Sequence, residues 1–600
     1  MNAEAILYEA YQRFSAGDPR GAEVALAPLW NASPRRPAKA IHLLGMIRRA
    51  QGRLPEAEAL LRQAIEADPA DPEPLNNLGN LLYAAKKYEE AAAIYRRALS
   101  IAPRMEQAQL NLVYALNQAR AGEEGEIEAR KLLKLRRTAE GLQALGAALG
   151  MQAKHAEALA AIEEALARRP EFPIALYDRA VALNALGRKA EAYEAFDKLA
   201  ARPDAGPQIF LSWADALAHG GESPKQVEAA LAAGLRLHPL NVSLQRDHAR
   251  FRWLNGASAQ EFSKDIEAAL RAAPDNHELR SACAELIYRA GRPREAAQLI
   301  QDGLARAPFE AELLRMKAFL EDEADAPALA IQSARGVLRV REDDTTQKLL
   351  IHALLRMGEA REALDLARAA LRAAPHDQHM IALETTALQA LGDPDLDRLY
   401  NFERFVHVVD LAAPPGYESM EAFNAALAES LAVQHTLAQH PLNQTLYEGT
   451  QTPRELTTVE DAAIQAFLEL ARQTALAFSK TLPSDPSHPF LSRAKNDVGF
   501  AGSWSVRLRP GGHHVNHFHP KGWISSAYYV RLPPRAADDA PHAGWLKFGE
   551  PRKPIPGCKA LKFVEPKPGR LVLFPSYMWH GTEPFKQGDR LTVAFDIVPK

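Results

Sequence analysis

His513, His514, His517 and His519 fall within seven residues, in a chain that carries only 19 histidines over 600 positions. Imidazoles this dense suggest a metal site, because neutral ring nitrogens bind divalent transition metals readily. In an extended strand, side chains two apart share a face, so His517 and His519 form a pair of candidate ligands. His580, in FPSYMWHGTEPF about sixty residues on, is the third candidate. Three nitrogens on one side of a cation would leave positions open for exogenous ligands, as catalytic sites require. Ten residues further, Arg590 and Thr592 share a face of the last predicted strand. That pairing suits a carboxylate, gripped by two guanidinium hydrogen bonds and a third from the hydroxyl.

Short strands are expected to position these groups. From Phe405 the sequence alternates in the β manner, with two helical stretches around Met420 to Gln434 and Val459 to Lys480. SWSVRL, HHVNHFH, WISSAYYVRL, GWLKFGE, RLVLFPS and RLTVAFDIV follow, separated by turn signals such as Arg509-Pro510-Gly511-Gly512. Many short strands between turns predict a jelly roll or barrel. The core-filling reading suffices for Trp504, Trp523, Trp545 and Trp579. Glu550 reads as a surface turn residue that could supply a carboxylate.

Before about residue 390 the composition is different and rich in alanine. Ala22, Ala57, Ala91, Ala158, Ala192, Ala296 and Ala363 lie at near multiples of 34 residues. Five residues before most stands a glycine (Gly17, Gly52, Gly187, Gly291, Gly358), and twelve after most a proline (Pro34, Pro69, Pro103, Pro170, Pro308, Pro375). Such a period predicts stacked antiparallel helix pairs with small residues at the close contacts. Lys+Arg 72 against Asp+Glu 75 gives a formal charge of -3, so no global field points to nucleic acid or to a membrane. Clusters such as Arg35-Arg36 and KLLKLRR (131–137) read as solvated helix faces. Two cysteines, Cys283 and Cys558, make neither a disulfide framework nor a thiolate cluster, and no apolar run or signal segment stands out, so a cytoplasmic protein is expected.

The unit PEPLNNLGNLLYAAKKYEEAAAIYRRALSIAP resembles the tetratricopeptide repeat at Leu78-Gly79, Tyr83, Ala91, Tyr95, Ala98 and Pro103. The resemblance implies an all-α superhelix over residues 1–393, about eleven units by the 34-residue period, with a groove suited to a protein or peptide. Asn77, Asn111 and Asp178 recur at one repeat position; they either face that groove and bond a peptide backbone or decorate a solvated helix face. The stretches GGHHVNHFHPKGWISSAYYV and EPKPGRLVLFPSYMWHGTEPF, with DRLTVAFDIVP, make residues 394–600 similar to the double-stranded β-helix oxygenases dependent on Fe(II) and 2-oxoglutarate, with flanking helices. That resemblance implies Fe(II), 2-oxoglutarate and O2 as reactants and a dioxygenase activity. His517 and His580 would bind iron, Arg590 and Thr592 would hold the far carboxylate of 2-oxoglutarate, and Tyr528 or Tyr529 would donate to it. The family has Asp or Glu where this chain has His519, so a neutral ligand stands for an anionic one. A shifted register, His514 with Asn516, is the alternative pair. A protein or peptide side chain presented by the repeats is the expected substrate. Its rivals are a small-molecule hydroxylase and a non-catalytic scaffold.

Overall fold

The computed structural model describes residues 3–31, 36–437, 442, 445–494 and 496–600. Pro34 and Arg35 lie outside the described residues. The chain divides into two compact units, Met1–Ala216 and Leu217–Lys600. The helix Pro207–Gly220 runs across that division.

In the first unit twelve described helices, from Ala3–Ser15 to Lys189–Ala200, precede it in antiparallel pairs. The anchor alanines Ala22, Ala57, Ala91, Ala158 and Ala192 are fully buried. Gly79 shows why the pattern demands small residues: a Cβ there would sit 2.5 Å from the Tyr95 ring, so the two helices touch only because glycine has none. The glycines before the anchors, Gly17, Gly52 and Gly187, have positive φ and turn one helix into the next. Where the copy lacks glycine, Lys86 and Ala153 hold the same left-handed conformation, with φ of 61° and 58°.

The second unit continues the pairs, from Pro224–Leu237 to Gln378–Leu391, and then carries the sheets. Its strands are β1 (His407–Asp410), β2 (Leu446–Gln451), β3 (Val498–His514), β4 (Ile524–Arg531), β5 (Leu546–Phe548), β6 (Lys562–Val564), β7 (Arg570–Pro575), β8 (His580–Thr582) and β9 (Arg590–Pro599). They form a six-stranded sheet, β1-β7-β4-β9-β3-β2, and a three-stranded sheet, β6-β5-β8, antiparallel throughout. Helices Met420–Gln434 and Ala462–Thr481 cover the outer face of the larger sheet, where Phe467 meets Tyr528 and Phe595. A single apolar core runs from Ala318, Leu354 and Leu388 of the last repeats into Tyr577, Phe574 and Ile597 of the sheet.

Two expectations about strands are corrected. Arg509-Pro510-Gly511-Gly512 is not a turn between strands: it lies inside β3 as a bulge, where the pairing with β2 slips from Leu508↔Gly449 to His513↔Tyr447. HHVNHFH is not one strand. Regular pairing ends at His514, opposite Leu446, and the chain then crosses to the smaller sheet, where His517 pairs with His580 through reciprocal 2.8 Å backbone hydrogen bonds.

Candidate metal centre

That crossing carries two histidines into the space between the sheets. The side-chain nitrogens that His517, His519 and His580 offer all lie within 4.8 Å of one another, the one such group among the described residues. His580, at the head of β8, faces His517 with ring centroids 4.2 Å apart and His519 at 5.0 Å. Gly581 permits the approach, since a Cβ there would stand 2.2 Å from Asn516 Oδ1.

Each ring is oriented from behind. His517 Nδ1 lies 2.9 Å from Val515 O, and His580 Nδ1 2.9 Å from Met578 O. A carbonyl only accepts, so both Nδ1 atoms carry the hydrogen and both Nε2 atoms keep a free lone pair. His519 Nδ1 lies 2.6 Å from Asp596 Oδ1, which also accepts from Ser525 Oγ at 2.7 Å; Ser525 in turn bonds Ser576 Oγ at 2.8 Å. Burial pushes His580 well below the usual imidazole range and His517 down to about 3, so both are neutral at pH 7, as ligands must be. Trp504 lies 5.6 Å from the His519 ring and Phe574 4.6 Å from the His580 ring, so aromatic side chains flank the site.

On β9, Arg590, Thr592 and Asp596 have the same parity and point between the sheets. Tyr529 pairs with Thr592 across the strands and shares that face. The Arg590 guanidinium lies 5.0 Å from the centre of the Tyr529 ring and donates from Nη1 to Gly544 O at 2.7 Å. Arg590 is buried with the Tyr529 hydroxyl as its close polar neighbour, its Nε lacks a well-aligned acceptor, and no ion pair to it occurs among the described residues. Burial pushes its guanidinium below the usual value. A buried cation without a carboxylate is costly, and an anionic ligand would satisfy it. Thr592 Oγ1 stands 3.5 Å from Val506 O.

Tyr528 is corrected. It points to the opposite face, where its hydroxyl donates to Asn424 Oδ1 at 2.7 Å, because neighbours on a strand alternate. His514 keeps apart from the cluster, 5.7 Å from the His517 ring and 3.3 Å from Thr445 Oγ1. Asn516 donates to Glu550 Oε2 at 3.0 Å, and Lys547 pairs with the same carboxylate at 2.6 Å. Asp596 is not among the sequence-predicted site residues, although its signal was present: a lone carboxylate at the inward parity of the last strand, shared with Arg590 and Thr592.

In the first unit Asn77, Asn111 and Asp178 neither stand free nor merely decorate. Asn77 lies 2.8 Å from His42 Nε2, Asn111 donates to Asn76 at 3.1 Å and to Asn80 at 2.9 Å, and Asp178 accepts from Gln143 at 2.7 Å. Each tie reaches the first helix of the preceding pair. Asn77 also lines a cavity of about 620 Å³ with Tyr8, Tyr11 and Met46.

A second cavity, of about 580 Å³, lies wholly in the second unit. It runs from Glu285, Phe319 and Lys348 on repeat helices to Phe518, Trp579 and His517. Phe518 fills the angle between His379 and Trp579, with ring centroids 4.7 and 4.9 Å away.

Residues 502–596 match the family model described as "Putative 2OG-Fe(II) oxygenase", and residues 42–106 and 144–208 match "Tetratricopeptide repeat". The chain therefore carries tetratricopeptide repeats followed by an oxygenase-family domain. No curated protein matches it. Among solved structures, a tetratricopeptide repeat protein from Parabacteroides merdae is similar at 18% identity, over 39% of this chain and 93% of that one, with a TM-score of 0.35. PilF of Pseudomonas aeruginosa is similar at 19% identity, over 33% and 90%, with a TM-score of 0.30. MamA of Desulfovibrio magneticus is similar at 18%, over 28% and 94%, with a TM-score of 0.26.

Proposed function

We propose that the protein is a 2-oxoglutarate- and Fe(II)-dependent dioxygenase that hydroxylates a side chain of a protein or peptide held by its repeats. The observation that carries this reading is a buried guanidinium, Arg590, with an open Nε and no carboxylate, on the same inter-sheet face as Asp596, which braces the histidine triad. When bound, Fe(II) and 2-oxoglutarate supply the chemistry: with O2 and a substrate C–H they yield succinate, CO2 and the alcohol.

The chain's own groups do the rest. Nε2 of His517, His519 and His580 bind the cation, two of them set by backbone carbonyls and one by Asp596. The Asp596 carboxylate behind His519 brings negative charge one imidazole ring further out than a ligating carboxylate would, and fixes the orientation of that ring. Arg590, with the Tyr529 hydroxyl beside it, fixes the far carboxylate of the cosubstrate and thereby its direction. Trp504 and Phe574 flank two of the rings and lower the local polarity there, which strengthens these interactions. A polypeptide substrate is supported by the 580 Å³ cavity, which joins repeat helices to His517.

No described helix is long and apolar enough to cross a membrane. Both free thiols, Cys283 and Cys558, are pushed up to about 12 by burial and stay protonated and unreactive; a cytoplasmic location is part of the proposal on the scarcity of cysteine alone. Succinate formation by the full chain with Fe(II), ascorbate and 2-oxoglutarate tests the reading. Turnover that requires all of these and ceases in His580→Ala supports it; iron uptake without any succinate overturns it.

A further inference from the structure

The 580 Å³ cavity has two chemically different ends. Its helical walls come from His277–Arg289, Ala311–Glu323 and Asp344–Arg356, first members of successive pairs that pack side by side, and the first helix of the preceding pair, Val242–Leu254, packs beside His277–Arg289 just beyond the cavity. Residues four apart on a helix share a face, so Arg246 lies beside Arg250, Glu285 beside Arg289, Arg315 beside Phe319, and Lys348 beside His352. One end of the row is the triad, at His517. The other is rich in arginine.

The acids along this row are largely consumed. Asp322 is buried between His352, at 2.9 Å, and Arg356, at 2.7 Å. Glu323 accepts from the Tyr288 hydroxyl at 2.6 Å and lies 3.8 Å from Lys553. Glu285 is shared by two guanidiniums, Arg289 at 3.0 Å and Arg246 at 3.8 Å. Among the described residues the ion pair of Arg250 is with Asp247, on its own helix at 3.8 Å. The Nε atoms of Arg246 and Arg250 make no hydrogen bond, although both are buried at the atom level. Burial, then the neighbouring Arg246, pushes the Arg250 guanidinium below its usual value. Three arginines thus crowd together with fewer carboxylates than they can bind, while Phe319, Met316 and Phe518 offer an apolar floor between them and the triad.

We propose that this cleft receives an extended acidic segment of a polypeptide, its carboxylates on Arg289 in the wall and on Arg246 and Arg250 on the helix beside it, and leads the adjoining residue across Phe319 to the triad. Guanidinium forks match carboxylates bidentately, and an extended backbone leaves alternate side chains free to reach down. The binding step stands on the cleft alone; the oxidation at its end rests on the dioxygenase reading.

Fluorescence anisotropy of the full chain with labelled peptides of about twelve residues, roughly 40 Å when extended, tests it. One probe alternates Glu with Ala and Phe; its twin carries Lys for Glu. The Glu peptide is expected to bind at least about tenfold tighter and to lose affinity with added salt. Arg250→Glu and Arg289→Glu are each expected to weaken it about tenfold or more at unchanged melting temperature. Lys198→Ala, an exposed position in the other compact unit, is expected to leave it within about twofold. Equal affinity for the two peptides, insensitivity to both arginine variants, or tighter binding of single-stranded RNA through the same arginines would overturn the proposal. Acidic-peptide binding without any succinate would defeat the oxygenase reading and leave the cleft standing; succinate without acidic preference would do the reverse.

Discussion

Asp596 places a carboxylate 2.6 Å behind His519 and Arg590 places a guanidinium six residues before it on the same face of β9, so one strand carries both the brace and the anchor. Their roles separate experimentally. Asp596→Asn is expected to weaken Fe(II) or Co(II) binding about 10- to 100-fold while leaving the cosubstrate anchor intact. Arg590→Ala is expected to leave metal affinity near that of the native protein and to raise the 2-oxoglutarate concentration needed by a similar factor. Titration calorimetry of metal and of 2-oxoglutarate reads the two effects apart, and equal metal loss in both variants would mean that Arg590 is misassigned. Spacing and residue type made His517, His519, His580 and Arg590 legible in the sequence. Which tyrosine faces inward was not legible, because parity relative to the core is set by pairing with β7 and β9. Asp596 went unnoticed on that strand, since nothing local distinguishes a brace from a stray polar residue.

At the scale of elements, the 34-residue period was legible because it comes from small residues that two helices require in order to touch. The degenerate copies show what the period costs when broken. Ala153 adopts φ 58° where other copies use glycine. Ala153→Gly is therefore expected to stabilise the first unit by about 0.5–1 kcal/mol, as relief of the left-handed conformation outweighs glycine's chain entropy; a lower melting temperature would contradict this. Asp178 stands where two other units have Asn77 and Asn111. Burial raises its pKa from 3.8 to about 6, so the folded chain holds the proton more tightly than the unfolded one. Its contribution is present at acid pH and is lost as pH rises through about 6. Asp178→Asn keeps the tie to Gln143 and is expected to raise stability by about 1–3 kcal/mol above pH 7, with no gain below pH 4. A gain at acid pH instead would refute the assignment. The β3 corner was not legible, because the crossing at Val515 and Asn516 is fixed by a partner strand about sixty-five residues away.

Across the whole molecule, pattern and compactness draw different lines. The alanine period stops near residue 393, whereas the compact second unit begins at Leu217. Long-range hydrogen bonds explain why. Trp579 Nε1 donates to Thr386 Oγ1 at 2.9 Å, the Tyr577 hydroxyl to Leu399 O at 2.8 Å, and Gln389 Nε2 to Lys559 O at 2.7 Å, all within one core. A chain of residues 394–600 alone would expose Trp579 and lose the Thr386 and Gln389 partners, keeping only the bond from Tyr577 to Leu399. It is expected to lack a cooperative thermal transition; a sharp melt matching that of the full chain would contradict the shared core. The central claim is that His517, His519 and His580 meet around one cation. Anaerobic equilibrium dialysis of Fe(II) against the full chain, with and without 2-oxoglutarate, tests it most directly. The account predicts one iron per chain, held more tightly with 2-oxoglutarate present and lost in His580→Ala; iron bound equally by native protein and His580→Ala, or by neither, would contradict it.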